Sequence, residues 1–367
     1  VINIVSGDHL SLRAINRATM HRQLLLQRSN LSVLEVLSRV AGMQAQNPNP
    51  PYYGLWARIA GFTQQHLIDL VQSRAVVRIS LMRSTIHSVT AADCLAWRPL
   101  LQPVHERGFS SNWGRNLPGA DLAAITKAGR KLVEAEPMTF AVLGERLAQL
   151  FPTLDGPSMA QAVRAYVPLV QVPPRGLWGS SGQAKHTSAE HWLGQPLAAK
   201  PPLEAMFLRY LAGFGPASVK DAQTWSGLTR LKEVADKLRP QLRVFRDPNG
   251  VELFDLPDAV YPGEDAPAPV RYLAEFENML LSYDDRTRIM TDEHRKIILT
   301  PNGLLAGVFT VDGFAAGQWK ITATKKAAAL TVTPFGKVSK RDARELAAEG
   351  AALLEFAAPG VPHELNL

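Results

Sequence analysis

The sequence is nearly without cysteine. Cys94 is the only one in 367 residues, which excludes a disulfide framework within the chain and a cysteine-rich zinc site, and suits a reducing compartment. Long apolar runs are also missing. No stretch approaches the roughly 18 continuous apolar residues that cross a bilayer, so no membrane partner is expected. The opening Val1-Ile2-Asn3-Ile4-Val5-Ser6-Gly7-Asp8 has neither a basic lead nor an apolar run, and reads against a secretory signal. His186 and His191 flank Glu190 but miss the i, i+4 spacing of a helical zinc site, so no metal is expected. Gly179-Ser180-Ser181-Gly182 falls short of a nucleophile elbow. No glycine-rich phosphate loop is present, and no cofactor is expected.

What remains is an ordinary globular composition, 46% hydrophobic and 20% charged, on a chain long enough for two to four modules. Forty basic residues against 33 acidic ones leave a net charge of +7. The excess is clustered, with Arg74, Arg78 and Arg83 in one group and Arg107, Arg115, Lys127, Arg130 and Lys131 in another. Such a surface attracts polyanions, nucleic acid first among them, although a well-solvated basic protein would carry the same charge.

One plan recurs along the chain, helices followed by a hairpin. It is plainest in its third copy. Helices are expected at 203–214, from Ser218 to about Ser226, and at 228–238. Strand-like 242–245 and 251–254 then flank Pro248-Asn249-Gly250, where Asn-Gly signals a tight hairpin. This is a winged helix-turn-helix. The middle copy has helices at 139–150 and 158–166, a strand at 167–172, a turn at Pro173-Pro174-Arg175-Gly176 and a returning strand at Leu177-Trp178. The first copy has a helix before residue 44, another at 64–74, and a wing from 76–80 and 85–89. Residues 90–104 read as helix and 108–119 as loop. After Pro257 a proline-rich linker leads to strands at 297–299, 305–311, 319–321 and 330–333. Turns are expected at Pro301-Asn302-Gly303 and Asp312-Gly313, and a helix over 341–356 closes the chain. The fold class expected is α+β: three tandem winged helix-turn-helix modules (1–118, 119–200 and 201–262), then a small antiparallel β-barrel with its closing helix over 263–367.

The candidate site lies where the first of these helices runs out. Ser32-Val33-Leu34-Glu35 has the pattern of a capping box, and Val33, Val36, Leu37 and Val40 keep the spacing of a buried helical face. After Met43 that face ends at Gln44-Ala45-Gln46, and Asn47-Pro48-Asn49-Pro50-Pro51 stops the helix. On an extended chain residues i and i+2 share a face, so both amides can address one pocket. A glutamine cannot ionise, but it accepts and donates, and two of them can orient a water or grip a polar substrate. The plainer reading has them cap the helix end or face solvent.

These residues, with others, resemble the tandem winged-helix DNA glycosylases of the AlkZ and YcaQ type. The resemblance is carried by Gln44-Ala45-Gln46, Tyr53-Gly54-Leu55-Trp56-Ala57-Arg58, Arg83-Ser84-Thr85-Ile86-His87 and Asp93. It continues through Phe214-Gly215-Pro216-Ala217-Ser218, Asp221, Trp225-Ser226-Gly227-Leu228 and Asp285-Arg286, to Gly313, Gly317 and Trp319. The two glutamines match the AlkZ branch; the YcaQ branch places an aspartate where Gln46 stands.

The resemblance implies a C-shaped body with double-stranded DNA along its positive concave side. It implies monofunctional excision of N7-alkylated guanine, without lyase activity, and some members unhook interstrand crosslinks. It further implies DNA repair or self-resistance to an alkylating antibiotic, in a monomeric protein of the bacterial cytoplasm, associated with the nucleoid. An N7-alkylguanine is already cationic and leaves as a neutral base, so no general acid is required. The enzyme must stabilise an oxocarbenium-like sugar and present a water, and Gln44 and Gln46 fit the second task through their amide carbonyls. Arg83 and His87 on the first wing, Arg175 on the second, and Arg286 beside Asp284-Asp285 are candidates for contacts to DNA or the lesion. For the arginines the alternative is a solvent-exposed charge, and for His87 a histidine packed within a hairpin. The competing functions are a winged-helix transcriptional regulator without catalysis and a protein-binding scaffold. A regulator has no need of two converging amides.

Overall fold

The computed structural model describes residues 8–299 and 305–367, with 46% helix and 17% strand in an α+β arrangement. The expected turn at Pro301-Asn302-Gly303 lies outside the described residues, as does the opening Val1 to Gly7 segment. Ser32 opens helix Val33–Arg39 with both halves of the capping box in place. Its Oγ accepts from Glu35 N at 3.3 Å, and Glu35 Oε2 accepts from Ser32 N at 2.8 Å. The helix ends where Ala41 and Gly42 both take left-handed φ, 56° and 80°. A Cβ at Gly42 would lie 2.5 Å from Val89 Cγ1, so this turn requires glycine. The chain leaves it as the short strand β1 (Met43–Gln44). The proline stretch that follows is not all irregular, because Pro50 and Pro51 open helix Pro50–Trp56. Proline lacks only an N–H that the first turn does not use.

The first hairpin forms as β2 (Val76–Ser80) and β3 (Ile86–Thr90). The second departs from expectation. After β4 (Leu169–Gln171) the returning strand is β5 (His186–Ser188), not Leu177-Trp178. Tyr52 Oη donates to Gly176 O at 2.9 Å and the Tyr52 ring meets Trp178 edge-on at 5.1 Å, which holds that segment against the first module instead. β2 also pairs with β4, so the two hairpins form one sheet in the order β1-β3-β2-β4-β5. Helix Gln102–Asn112 runs through Gly108, where a loop was expected, and helix Leu122–Ala135 was not singled out in the sequence. With Phe140–Leu150 and Gly156–Tyr166 these helices enclose a second core of Ile125, Leu143, Leu147, Met159 and Val163.

In the third unit the last helix begins at Leu231 rather than at 228. Helices Leu203–Phe214, Val219–Ser226 and Leu231–Leu238 precede a two-stranded hairpin of β6 (Arg243–Arg246) and β7 (Glu252–Asp255). Asp247 Oδ1 closes that hairpin by accepting from the backbone N of Asn249 and Val251. Beyond it lie β8 (Arg271–Leu273), β9 (Gly307–Val311), β10 (Phe314–Ala323), β11 (Ala328–Pro334) and β12 (His363–Asn366), in the order β12-β11-β10-β9-β8. Because β8 and β12 are edges, the sheet is open, and no closed barrel is found among the described residues. It is not wholly antiparallel either, since β12 joins β11 in parallel. Ile297 and Ile298 end helix Asp292–Ile298 rather than start a strand. Thr291 caps that helix, with acidic residues in its first turn and basic ones in its last.

The main hydrophobic core draws on residues from Met20 to Leu354, and polar ties cross it. The buried ion pair Arg58–Glu277 closes at 2.6 Å, and Asn278 Nδ2 donates to Gly42 O at 2.7 Å and Val40 O at 3.2 Å. The turn that delivers β1 is therefore held by a segment more than half the chain away.

Candidate active site

β1 pairs with β3 for two residues only, with Gln44 opposite His87. The ladder then ends in a defined way. Ala45 N donates to Ile86 O at 2.7 Å, but Ala45 O turns to Nη2 of Arg78 at 2.8 Å. Ile86 N meets the side-chain Oε1 of Gln46 instead, at 3.4 Å. Gln44 is buried at 7% exposure and its Oε1 accepts from Nη2 of Arg83 at 2.9 Å, whereas Gln46 is exposed. Both amide carbonyls thus face the β2–β3 hairpin. These donors fix the amide assignment, and Nε2 of each glutamine is the group turned away. The two carbonyls are held unequally: one is gripped by a guanidinium and the other holds a long, weak bond.

The hairpin tip that supplies Arg83 is strained. Arg83 and Ser84 both have positive φ, 55° and 57°, and Thr85 N donates to Met82 O at 3.1 Å. That is the geometry usually filled by Asn-Gly, here built from two residues that each lose by adopting it. It is held from outside. Arg83 Nη1 donates to Trp225 O at 2.6 Å, and Gly227 presses close enough that a Cβ there would stand 3.3 Å from Arg83 Cα. Gly227 itself ends helix Val219–Ser226 at φ 81°. The third helical unit and the first hairpin meet on this arginine.

Burial, together with the neighbouring charge of Arg286, pushes Arg83 down to about 10. It stays cationic at neutral pH. Arg286 is half-buried, its Nε donating to Tyr283 O at 3.2 Å. Among the described residues, no carboxylate ion pair forms with Arg83 or Arg286. Asp284 pairs with Lys220 at 2.7 Å, and Arg288 with Asp221 at 3.3 Å. Two guanidiniums that feel each other's charge, neither of them ion-paired among the described residues, suit an anionic ligand.

His87 sits under the site rather than in it. It is buried, its Nδ1 donates to Thr85 O at 2.9 Å, and burial together with Arg83 pushes it down to about 3, so it is neutral. Arg175 is half-buried, with Nη1 donating to Gly182 O at 3.0 Å, and its charge helps burial depress Arg78 to about 10. It therefore lies behind the triplet, beside Arg78, and not with Arg83. His186 is buried against the Phe140 ring at 4.1 Å. Sequence reasoning missed Arg78 and Asn278 as supports of the triplet. A basic residue at the middle of an apolar strand, Val76-Val77-Arg78-Ile79, was the available signal for the first; Asn278 offered none.

The model of the AlkZ-like family, described as DNA glycosylase AlkZ-like, matches residues 37–356. The chain belongs to the AlkZ-like DNA glycosylase family. As such it is a DNA repair enzyme acting on DNA. Among solved structures it is similar to Streptomyces sahachiroi DNA glycosylase AlkZ, at 19% identity and a TM-score of 0.79, over 97% of this chain and 100% of that one. No curated protein matches it. No helix among the described residues is long and apolar enough to cross a membrane.

Proposed function

We propose that this glycosylase hydrolyses the N-glycosidic bond of N7-alkylated guanine in double-stranded DNA, without lyase activity, using Gln44 and Gln46. The observation that carries the reading is the unequal hold on the two amides. Gln44 is buried and clamped by Arg83; Gln46 is exposed and bound at 3.4 Å, a contact readily exchanged. Gln46 is thus the amide free to take a water, and Gln44 the fixed one, whose Nε2 is polarised by the guanidinium on its carbonyl and orients the water or sugar. In the reaction the C1′–N9 bond breaks and its electron pair neutralises the cationic purine. Water adds to C1′ and releases its proton to solvent, since neither amide binds one. Positioning and electrostatics then supply the rate.

Arg83 and Arg286 would take phosphate flanking the lesion. Arg175 and His87 support the strand pair that carries the triplet. A lesion held within the duplex, rather than flipped, would let the same site release one end of an interstrand crosslink. This fits a role in repair, or in self-resistance, in the bacterial cytoplasm at the nucleoid. Three winged-helix units over 1–118, 119–200 and 201–262, with the strand-rich part over 263–367, would form a monomeric C-shaped body around DNA. The test is a duplex with one N7-methylguanine, scored for abasic sites after alkaline cleavage. Wild type releases the base, and the Gln44→Ala, Gln46→Ala double variant binds the duplex equally but does not release it. Equal release by both would overturn the assignment.

A further inference from the structure

A cavity of about 420 Å³ opens beside the triplet, and the family assignment gives it no role. Asn47, the residue after Gln46, forms its edge and donates from Nδ2 to Glu275 at 2.8 Å. Its inner wall is aromatic, with the half-buried Tyr53 ring edge-on to Trp319 at 5.5 Å. Trp319 is fixed: its Nε1 donates to Leu273 O at 2.8 Å, and it lies against Gly307, where a Cβ would meet the indole at 2.6 Å. Asn49 and Ile321 also line it, as do Lys320 and Glu275, which carry opposite charges. Pro50 and Glu275 also wall the small recess lined by Gln44, so cavity and recess adjoin.

We infer that this cavity receives the organic substituent carried on N7 of the guanine, a flat, largely apolar group that is neutral or cationic. The inference rests on the reaction proposed above. Volume argues for it, because the cavity is of small-molecule size and a methyl group would leave it nearly empty. Charge leaves the class to the ring wall: Glu275 and Lys320 offset each other in the lining, while the aromatic side chains favour a ring or a cation. Position sets the direction. A guanine whose glycosidic bond lies at Gln44 and Gln46 has its N7 edge away from the sugar, and the adjoining space is where that edge's substituent must go.

The test compares two duplexes, one with N7-methylguanine and one with N7-benzylguanine, on wild type, Ile321→Trp and Asn49→Trp. Both substitutions fill the cavity from walls that do not reach the Gln44 recess. Asn49 makes no side-chain cap to its helix, so its replacement removes no hydrogen bond. Thermal melting confirms folding. The expected result is a fall of at least about tenfold in single-turnover release of the benzyl lesion, with methyl release unchanged. Equal losses on both lesions would mean that the cavity holds the base itself, and no loss on either that it holds nothing; each overturns the inference while leaving the reaction standing. If wild type releases neither base, the reaction fails, and this assignment with it.

Discussion

The carbonyl of Gln44 and the guanidinium of Arg83 lie 2.9 Å apart, and this contact joins the glutamine strand to a strained hairpin tip. Arg83 is also bound to Trp225 O, so it works as a fork with one prong on each side. Lysine can occupy one prong but not both. Arg83→Lys and Arg83→Ala should each lower single-turnover base release by about a hundredfold, the cost of a misplaced catalytic group. Arg83→Lys should bind the duplex nearly as well as wild type. Measuring the release rate and the duplex dissociation constant separately divides this positioning role from the phosphate contact, whose loss alone would lower release only as far as binding falls and which lysine would largely keep.

The two glutamines should respond differently to a carboxylate. Gln44→Glu places a negative charge against Arg83, converting a neutral acceptor into a charge-assisted one. It should raise the melting temperature while reducing release about a hundredfold, because the outward amide donor is gone. Gln46→Glu retains an oxygen for Ile86 N and adds a base to the exposed position. It should stay within about tenfold of wild type. The reverse order of activities would transpose the two roles.

Gly42→Ala tests the turn that delivers β1. At φ 80° and with Val89 Cγ1 2.5 Å from the added Cβ, the substitution should cost about 2–4 kcal/mol. Urea unfolding measures this. Release should fall further than the lost folded fraction explains, since the shift is passed directly to Gln44.

Acid should destabilise the fold through buried histidines. Burial pushes His87 from its ordinary 6.5 to about 3, His105 to about 2 and His186 to about 4. Each folded-state pKa is depressed, so the unfolded chain binds the extra proton, and stability is full above pH 6.5 and falls as pH is lowered through the window down to 4. Each histidine contributes a slope of at most about 1.4 kcal/mol per pH unit there. Urea midpoints measured from pH 7.5 to 4.5 should decline below 6.5, and His87→Gln should flatten the decline by one histidine's share.

Much of the fold was legible where structure is local. The Ser32–Glu35 box, the Ser218–Asp221 box and the Asn249-Gly250 hairpin follow from capping and turn chemistry within a few residues. The end of the helix before Gln44 was not legible: its apolar face reads on to Met43, whereas the chain leaves the helix after Arg39 through the left-handed turn at Ala41 and Gly42. What the sequence concealed is long-range pairing. Leu177-Trp178 has strand composition, yet aromatic packing on Tyr52 removes it from the ladder, and β4 pairs with β2, Arg78 opposite Gln171, across β3 and the whole second helical group. Ile297-Ile298 has a β-branched signature that the Thr291 cap overrides. At the site, the type and spacing of Gln44 and Gln46 were readable, but the direction of their amides was not. That direction depends on Arg83 and Ile86, whose approach is a tertiary event.

The tie from Asn278 to Gly42 and Val40 bears on when the enzyme becomes competent during its own synthesis. The glutamines leave the ribosome early, but the carbonyls behind them find their donor only after residue 278 has been made, and Arg58 likewise waits for Glu277. A nascent or truncated chain ending before that point carries the reactive residues without the frame that aims them. Competence to release a base is thereby deferred until residue 278 has been made.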